Sequence, residues 1–182
     1  MKTNTKKRPL LAALGGLALL TASLVPAATT LADTPKNLNA KLDFDKAQEI
    51  VLKEAKQGKL VNLELDGKKN KPYYEATILD GETEKEYKID GNNGKVLKTS
   101  SENIADDAED VELSKADPKL SFDDAKKKAK EKYPKAKLSD VELDLEDNGD
   151  LVYKIKLVEN NKKIIKLKLN ADNGKIISQR TK

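Results

Sequence analysis

The chain repeats one pattern of residues, and this repeat constrains the fold more than any other feature. The segment LDFDKAQEIVLKEA, which begins at Leu42, matches LSFDDAKKKAKEKY, which begins at Leu120, at an offset of 78 residues. The only two phenylalanines of the chain fall at the same place in the two copies. We therefore predict two tandem copies of one structural unit.

The match continues to the end of each copy. Tyr74 matches Tyr153 at an offset of 79, and KIDGNNGKVL, from Lys88, matches KLNADNGKII, from Lys168, at an offset of 80. Two single-residue insertions in loops explain the change of offset. The units predicted on this basis are residues 42–99 and 120–182.

Each unit is expected to open with a helix and continue as a small sheet. Asp43 and Ser121 are suited to cap the helices, and Gly58 and Pro134 to end them. Segments of alternating apolar and polar residues follow, separated by Asp-Gly and Asn-Gly turns, which is typical of antiparallel hairpins. The predicted fold class is α+β, with two tandem repeats, each one N-terminal helix packed on a three- to four-stranded antiparallel sheet. The sequence leaves open whether the two units pack on each other.

Residues 100–119 contain seven acidic and two basic residues, and we predict an acidic interdomain linker there. Ile104, Val111 and Leu113 could nevertheless dock locally. Residues 33–41 are interpreted as a shorter N-terminal linker.

The first 32 residues have the three-part pattern of a secretory signal peptide. A basic start precedes an uncharged run from Leu10 to Val25, and small residues follow Pro26. The expected cleavage lies between Ala32 and Asp33, with cuts after residue 27 or 28 as weaker alternatives. An uncleaved anchor is the other interpretation, although the run is short for a membrane span. We expect a secreted or cell-envelope-associated protein.

Composition excludes several classes of site. The chain has no Cys and no His, which rules out thiolate chemistry, a Ser–His pair and the usual nitrogen or sulfur ligands of zinc. Of the 35 basic residues, four lie in the signal segment, so 31 basic residues remain against 31 acidic ones. The net charge of +4 thus belongs to the segment expected to be removed. We expect no cofactor, no catalytic residues and no nucleic-acid partner.

The helix-opening Phe/Asp/Ala pattern, the strand with a central Tyr and the closing Asn-Gly-Lys turn resemble the PepSY domain family. The resemblance covers both units, and Asn170 stands where the family usually has Asp. It implies an exported or envelope protein related to the propeptides of thermolysin-like metallopeptidases. A role in inhibiting or regulating a peptidase near the cell surface follows from that relation.

Two local features are candidate sites. The loop from Asp90 to Gly94 alternates Asp and Asn like a calcium loop, but the sixth position is Lys95 instead of Gly, so a tight turn is favoured. The second helix is basic, and Lys126, Lys127 and Lys130 form a candidate patch for an anionic partner. A solvated helix face is the simpler interpretation of such a charge run.

Two functions remain open from the sequence. The first is a non-enzymatic module that binds a peptidase or another envelope protein, with an exposed strand edge to pair with it. The alternative is an envelope-associated module that holds anionic wall polymer or lipid headgroups through the basic second domain. Membrane contact would then be limited to the signal peptide and a weak attraction to the basic helix.

Overall fold

The computed structural model of the protein describes residues 39–68 and 71–182. Eight strands and three helices follow one another in two similar halves. The first half contains α1 (Phe44–Ala55), β1 (Lys59–Lys68), β2 (Lys71–Asp80), β3 (Thr83–Asp90) and β4 (Val96–Asn103). After α2 (Ala108–Lys115), the second half contains α3 (Phe122–Lys132), β5 (Lys137–Leu145), β6 (Leu151–Glu159), β7 (Lys163–Asn170) and β8 (Ile176–Thr181). The predicted α+β class and the repeated unit are confirmed, with four strands in each copy.

All eight strands belong to one antiparallel sheet in the order β4-β3-β2-β1-β5-β6-β7-β8. The two halves meet where β1 pairs with β5 through three residue pairs, with Leu63 opposite Val141 at the centre. Both residues are fully buried. The sequence left the relation between the units open, and the structure answers it with a continuous sheet.

The β1–β5 seam has approximate two-fold symmetry. Leu63 and Val141 are 78 residues apart, which is the offset of the repeat. On either side of this pair, Asn62 lies opposite Glu142 and Glu64 lies opposite Asp140. Asn62 and Asp140 occupy equivalent positions, and so do Glu64 and Glu142. The two units therefore meet as the subunits of a symmetric dimer do, through the same surface on each side.

The predicted insertions fall in two hairpin turns. A bulge between Leu60 and Asn62 in β1 recurs between Leu138 and Asp140 in β5. The offset is still 78 residues at these bulges. Equivalent residues are 79 apart in β2 and β6, after the first hairpin of each unit, and 80 apart in β3 and β7, after the second. Tyr74 accordingly lies opposite Ile89 and Tyr153 opposite Leu169, so the two units have the same register.

The helices divide the sheet into two faces. Phe44 of α1 packs edge-on against Tyr74, and Phe122 of α3 packs edge-on against Tyr153. Because side chains alternate along a strand, Tyr74, Ala76 and Ile78 all point to this side, which we call the helix face. We call the opposite side the open face.

The segment predicted as an acidic linker has more structure than that term implies. Strand β4 extends to Asn103, and α2 begins five residues later, capped by Asp107. Ile104 and Leu113 are buried. The ammonium of Lys59, on the open face of β1, donates to the carbonyls of Leu113, Ser114 and Ala116 at the end of α2. This segment packs on β2 of the first half and β5 of the second, so it covers part of the open face and holds the halves together.

The first helix ends earlier than predicted. It stops at Ala55, and Lys56 follows with a positive φ of 63°, two residues before Gly58, which has a φ of 98°. Asp43 and Ser121 do cap their helices, since each accepts a bond from the backbone N–H three residues on.

Candidate interaction surfaces

The most recognisable residues of the repeat hold the unit together. The Tyr74 hydroxyl donates to the carbonyl of Leu42 at 2.8 Å, and the Tyr153 hydroxyl donates to that of Leu120 at 2.9 Å. These bonds tie the start of each helix to the middle of the sheet. Burial raises the pKa of Tyr153 to about 12 and that of Tyr74 further still. Both hydroxyls therefore remain protonated donors at neutral pH.

The closing loop of each unit is a tight turn in which one side-chain oxygen accepts hydrogen bonds from the backbone of the same loop. Oδ1 of Asp90 accepts from the backbone N–H groups of Asn92 and Asn93, at 2.8 and 3.2 Å. Oδ1 of Asn170 makes the equivalent two bonds, both at 3.0 Å. An amide oxygen serves here as well as a carboxylate, which explains why Asn170 is accepted. Gly94 and Gly174 complete the turns with positive φ. Across residues 39–68 and 71–182, no group of three or more acidic side chains is arranged to hold a metal ion.

The three lysines predicted as an anionic-partner patch line one groove between α1 and α3, but they do not form a patch. Lys126 is only 7% exposed, and its ammonium binds Asp45 at 2.6 Å and Asp123 at 2.8 Å. It also donates to the side-chain oxygen of Gln48. The structure therefore places Lys126 in the contact between the two helices, where its ammonium is paired with acidic side chains.

The other two lysines behave differently from each other. Lys130 donates to the carbonyls of Pro134 and Ala136, which follow the end of its own helix. Lys127 is exposed and lines the same groove. Of the three lysines, Lys127 therefore carries the exposed charge in the groove.

The helix contact repeats the symmetry of the sheet. Gln48 and Lys126 occupy equivalent positions, as do Asp45 and Asp123. The amide of Gln48 donates to Asp123 at 3.1 Å, and Lys126 binds Asp45 in the symmetry-related contact. Gln48 of α1 thus contacts the first turn of α3, and Lys126 of α3 contacts the first turn of α1. The offset of 78 shows in the sequence that Lys126 is equivalent to Gln48, but only the structure shows that both residues lie in the helix seam.

Charged side chains gather on the open face where β1 and β5 meet. Lys156 lies between Glu64 at 3.3 Å and Asp140 at 3.2 Å, and Asn62 donates to Asp140 at 3.3 Å. Burial raises the pKa of Glu64 and Asp140, while Lys156 acts in the other direction. Burial also raises the pKa of Glu142 to about 7. Lys156 thus pairs with two of the acids of this cluster, while Glu142 keeps a raised pKa.

Both edges of the sheet are open. Within the described part of the chain, no strand pairs with the outer side of β4 or of β8. Most of their residues are exposed, including the equivalent apolar residues Leu97 and Ile177, at 51% and 53%. An unpaired edge presents a row of free backbone N–H and C=O groups to another chain.

The hydrogen-bond pattern identifies which residues of β4 face outward. The N–H of Ile104 donates to the carbonyl of Glu82, so this pair is a hydrogen-bonded one. Such pairs alternate along an antiparallel ladder. Glu102 and Ser100 therefore bond inward to β3, and Thr99, Ser101 and Asn103 direct their backbone groups away from the sheet.

The export prediction concerns residues that lie outside the described ranges. This includes the proposed cleavage between Ala32 and Asp33. Among the described residues, no helix combines the length and apolar character needed to span a membrane.

Comparisons with known proteins agree with the duplicated unit. The PepSY family model, described as the peptidase propeptide and YPEB domain, matches residues 41–100 and again residues 119–180. No curated protein matches the chain.

Two solved structures are similar to this chain. One is a candidate lipoprotein from Clostridium difficile 630, which is 22% identical and has a TM-score of 0.51, with 82% of this chain and 99% of that chain covered. The other is the YpeB C-terminal domain of Bacillus megaterium, which is 19% identical with a TM-score of 0.32, covering 80% of this chain and 68% of that one. The similarity to the Clostridium difficile protein supports a shared fold over nearly the whole length of that protein. Because the family model matches both halves in register with the structural repeat, the chain belongs to the PepSY family and carries two copies of its domain in tandem.

Proposed function

We propose that this protein is an exported, non-enzymatic module that regulates a peptidase near the cell surface by pairing an extended segment of its partner with strand β4. The observation that carries the proposal is the outer side of β4, an edge of eight residues with its outward backbone groups free among the described residues. Strand addition at such an edge gives affinity through main-chain hydrogen bonds. Membership in a family of propeptide and regulatory domains supports a peptidase as the partner.

The lipoprotein neighbour and the signal-like N-terminus support an envelope or extracellular location. The interior of the protein supports a binding role over catalysis. At the seam, Lys156 pairs with Glu64 and Asp140, and the Phe–Tyr pair of each unit is used for packing. Two lysines are less suited to the alternative of anionic-polymer binding, since Lys126 is buried and Lys130 is bonded to carbonyls, whereas Lys127 is exposed.

The test uses immobilised protein and the secreted fraction of the producing culture. We expect a peptidase to be retained and its hydrolysis of casein to fall when the protein is added. If no peptidase is retained and proteolysis is unchanged, the proposed function is wrong.

Two double variants test the role of β4. Thr99→Pro with Ser101→Pro removes two outward-facing N–H groups and leaves the inward ladder to β3 intact, since proline is tolerated on the free side of an edge strand. Thr99→Ala with Ser101→Ala removes the same side chains but keeps the N–H groups. We expect the alanine variant to bind like the unaltered protein and the proline variant to bind at least about ten-fold more weakly, as loss of two hydrogen bonds implies. Equal binding by both variants would exclude β4 as the docking edge.

A further inference from the structure

A buried carboxyl lies beneath α2 on the open face, where packing alone would favour an apolar residue. Glu84 of β3 is 8% exposed and lies opposite Leu79 of β2 and Glu102 of β4. Its carboxyl makes no hydrogen bond or ion pair within the described residues. In the second unit the equivalent position is Ile164, which is also buried. The unit can therefore be built with an apolar side chain here, so the carboxyl is not a requirement of the fold.

The charged groups that act most strongly on Glu84 are all acidic. Its own strand contributes Glu86, and β4 contributes Glu102. From the other side come Asp110 of α2 and the helix cap Asp107. Leu79 is the neighbour from β2.

Asp110 has the same kind of surroundings. Besides the acids of its own helix terminus, Asp107 and Glu109, it faces Glu102 of β4 and Asp144 of β5. Asp144 is itself bound by Lys154. Burial, reinforced by these like charges, raises the pKa of Glu84 to about 7 and that of Asp110 to about 6.

At the C-terminal end of α2, contacts with the sheet hold the helix in place against this repulsion. The carbonyls of its last turn accept from Lys59, and Leu113 is 1% exposed against the sheet. At the N-terminal end, Asp107 accepts from the N–H groups of Glu109 and Asp110 as the helix cap, but no basic side chain within the described residues forms an ion pair with Asp107, Asp110 or Glu84. A single proton on this group of carboxyls would relieve the repulsion directly beneath the helix.

We propose that Glu84 and Asp110 form a proton-operated clamp, which holds α2 on the open face when protonated and releases the N-terminal end of α2 when both carboxyls are ionised. Because the folded-state pKa of Glu84 is raised above its ordinary value of 4.5, docking is fully supported below that value. The contribution of the protonated Glu84 to the docking of α2 is lost as the pH rises through about 7. Docking of α2 thus strengthens in mildly acidic surroundings and weakens in alkaline ones.

The direct test is hydrogen exchange of the α2 amides in the purified protein at pH 5.5 and pH 8, corrected for intrinsic exchange. We expect protection of residues 108–115 to fall at least about ten-fold at the higher pH, relative to the amides of β6, as the linkage relation implies for a shift of this size. Glu84→Gln and Glu84→Ile should both keep α2 protected at pH 8. The isoleucine variant takes the residue of the second unit, so it remains informative if the glutamine variant folds poorly.

Two controls separate the clamp from other titrating groups. Glu82→Gln changes an exposed acid in the neighbouring turn, and Glu142→Gln removes another carboxyl whose pKa is raised to about 7. Both should retain the pH-dependent protection of α2. The proposal is overturned if α2 protection in the unaltered protein does not change with pH, or if Glu84→Gln leaves the change in place.

Discussion

At the scale of single residues, the repeat preserves the groups that fix the backbone. Phe, Tyr and the turn-forming Asp or Asn recur because each makes the same contact in both units. The Tyr153 hydroxyl bonds to the Leu120 carbonyl, so Tyr153→Phe leaves that carbonyl without its donor. We expect a loss of about 1 kcal/mol in the free energy of unfolding, measured by urea denaturation.

Tyr87→Phe is the matched control for this prediction. Tyr87 is buried to a similar degree, and its hydroxyl makes no hydrogen bond within the described residues. Its replacement should change the free energy of unfolding by less than about 0.5 kcal/mol. Equal losses in the two variants would show that the hydroxyl bond contributes nothing beyond packing.

Residue patterns identified the N-terminal helix caps and the closing turns correctly because these are local interactions. Asp43, Ser121 and the Asp90 turn need only neighbours within three residues to be satisfied. The environment of Lys126 could not be read in the same way, since its partners Asp45 and Gln48 are about 80 residues away. Within a run of lysines, nothing local distinguishes the buried one from its exposed neighbours.

At the scale of elements, the contact between α1 and α3 depends on Lys126. We expect Lys126→Ala to lower the free energy of unfolding by about 1–2 kcal/mol. The loss is no larger because Asp45 and Asp123 are largely exposed, so solvent weakens their ion pairs with Lys126. Thermal or urea unfolding at moderate salt measures the change.

The neighbouring Lys127 provides the comparison for the helix seam. Lys127→Ala should change stability by less than about 0.5 kcal/mol, because this side chain is exposed. Lys126→Gln should be milder than Lys126→Ala, since Gln48 shows that an amide suits the equivalent position. If Lys126→Ala and Lys127→Ala are equally mild, the helix seam does not contribute as described.

Elements with strong alternation or a clear cap were predictable, whereas α2 was not. Its sequence, AEDVELSK, is short and half charged, and only Leu113 is buried in it. What orders it is a tertiary contact with Lys59, together with burial of Ile104 and Leu113 against the sheet. Composition alone indicates a linker for such a segment, and the packing partner that overrides this is distant in sequence.

At the scale of the whole molecule, two small units share one sheet. Each unit of about 60 residues would have a small core by itself. The β1–β5 seam, the helix contact and the bridging α2 join the two cores. The sequence could show the duplication but not this joining, because alternation along β1 does not reveal which strand lies on its second side.

A continuous sheet predicts that the two halves unfold together. Hydrogen exchange in increasing urea, followed separately at the amides of β2 and β6, measures the stability of each half in one experiment. We predict a single transition with the same midpoint for both strands. Two separate midpoints, with β6 still protected where β2 has opened or the reverse, would contradict the account of one cooperative molecule built from two PepSY domains.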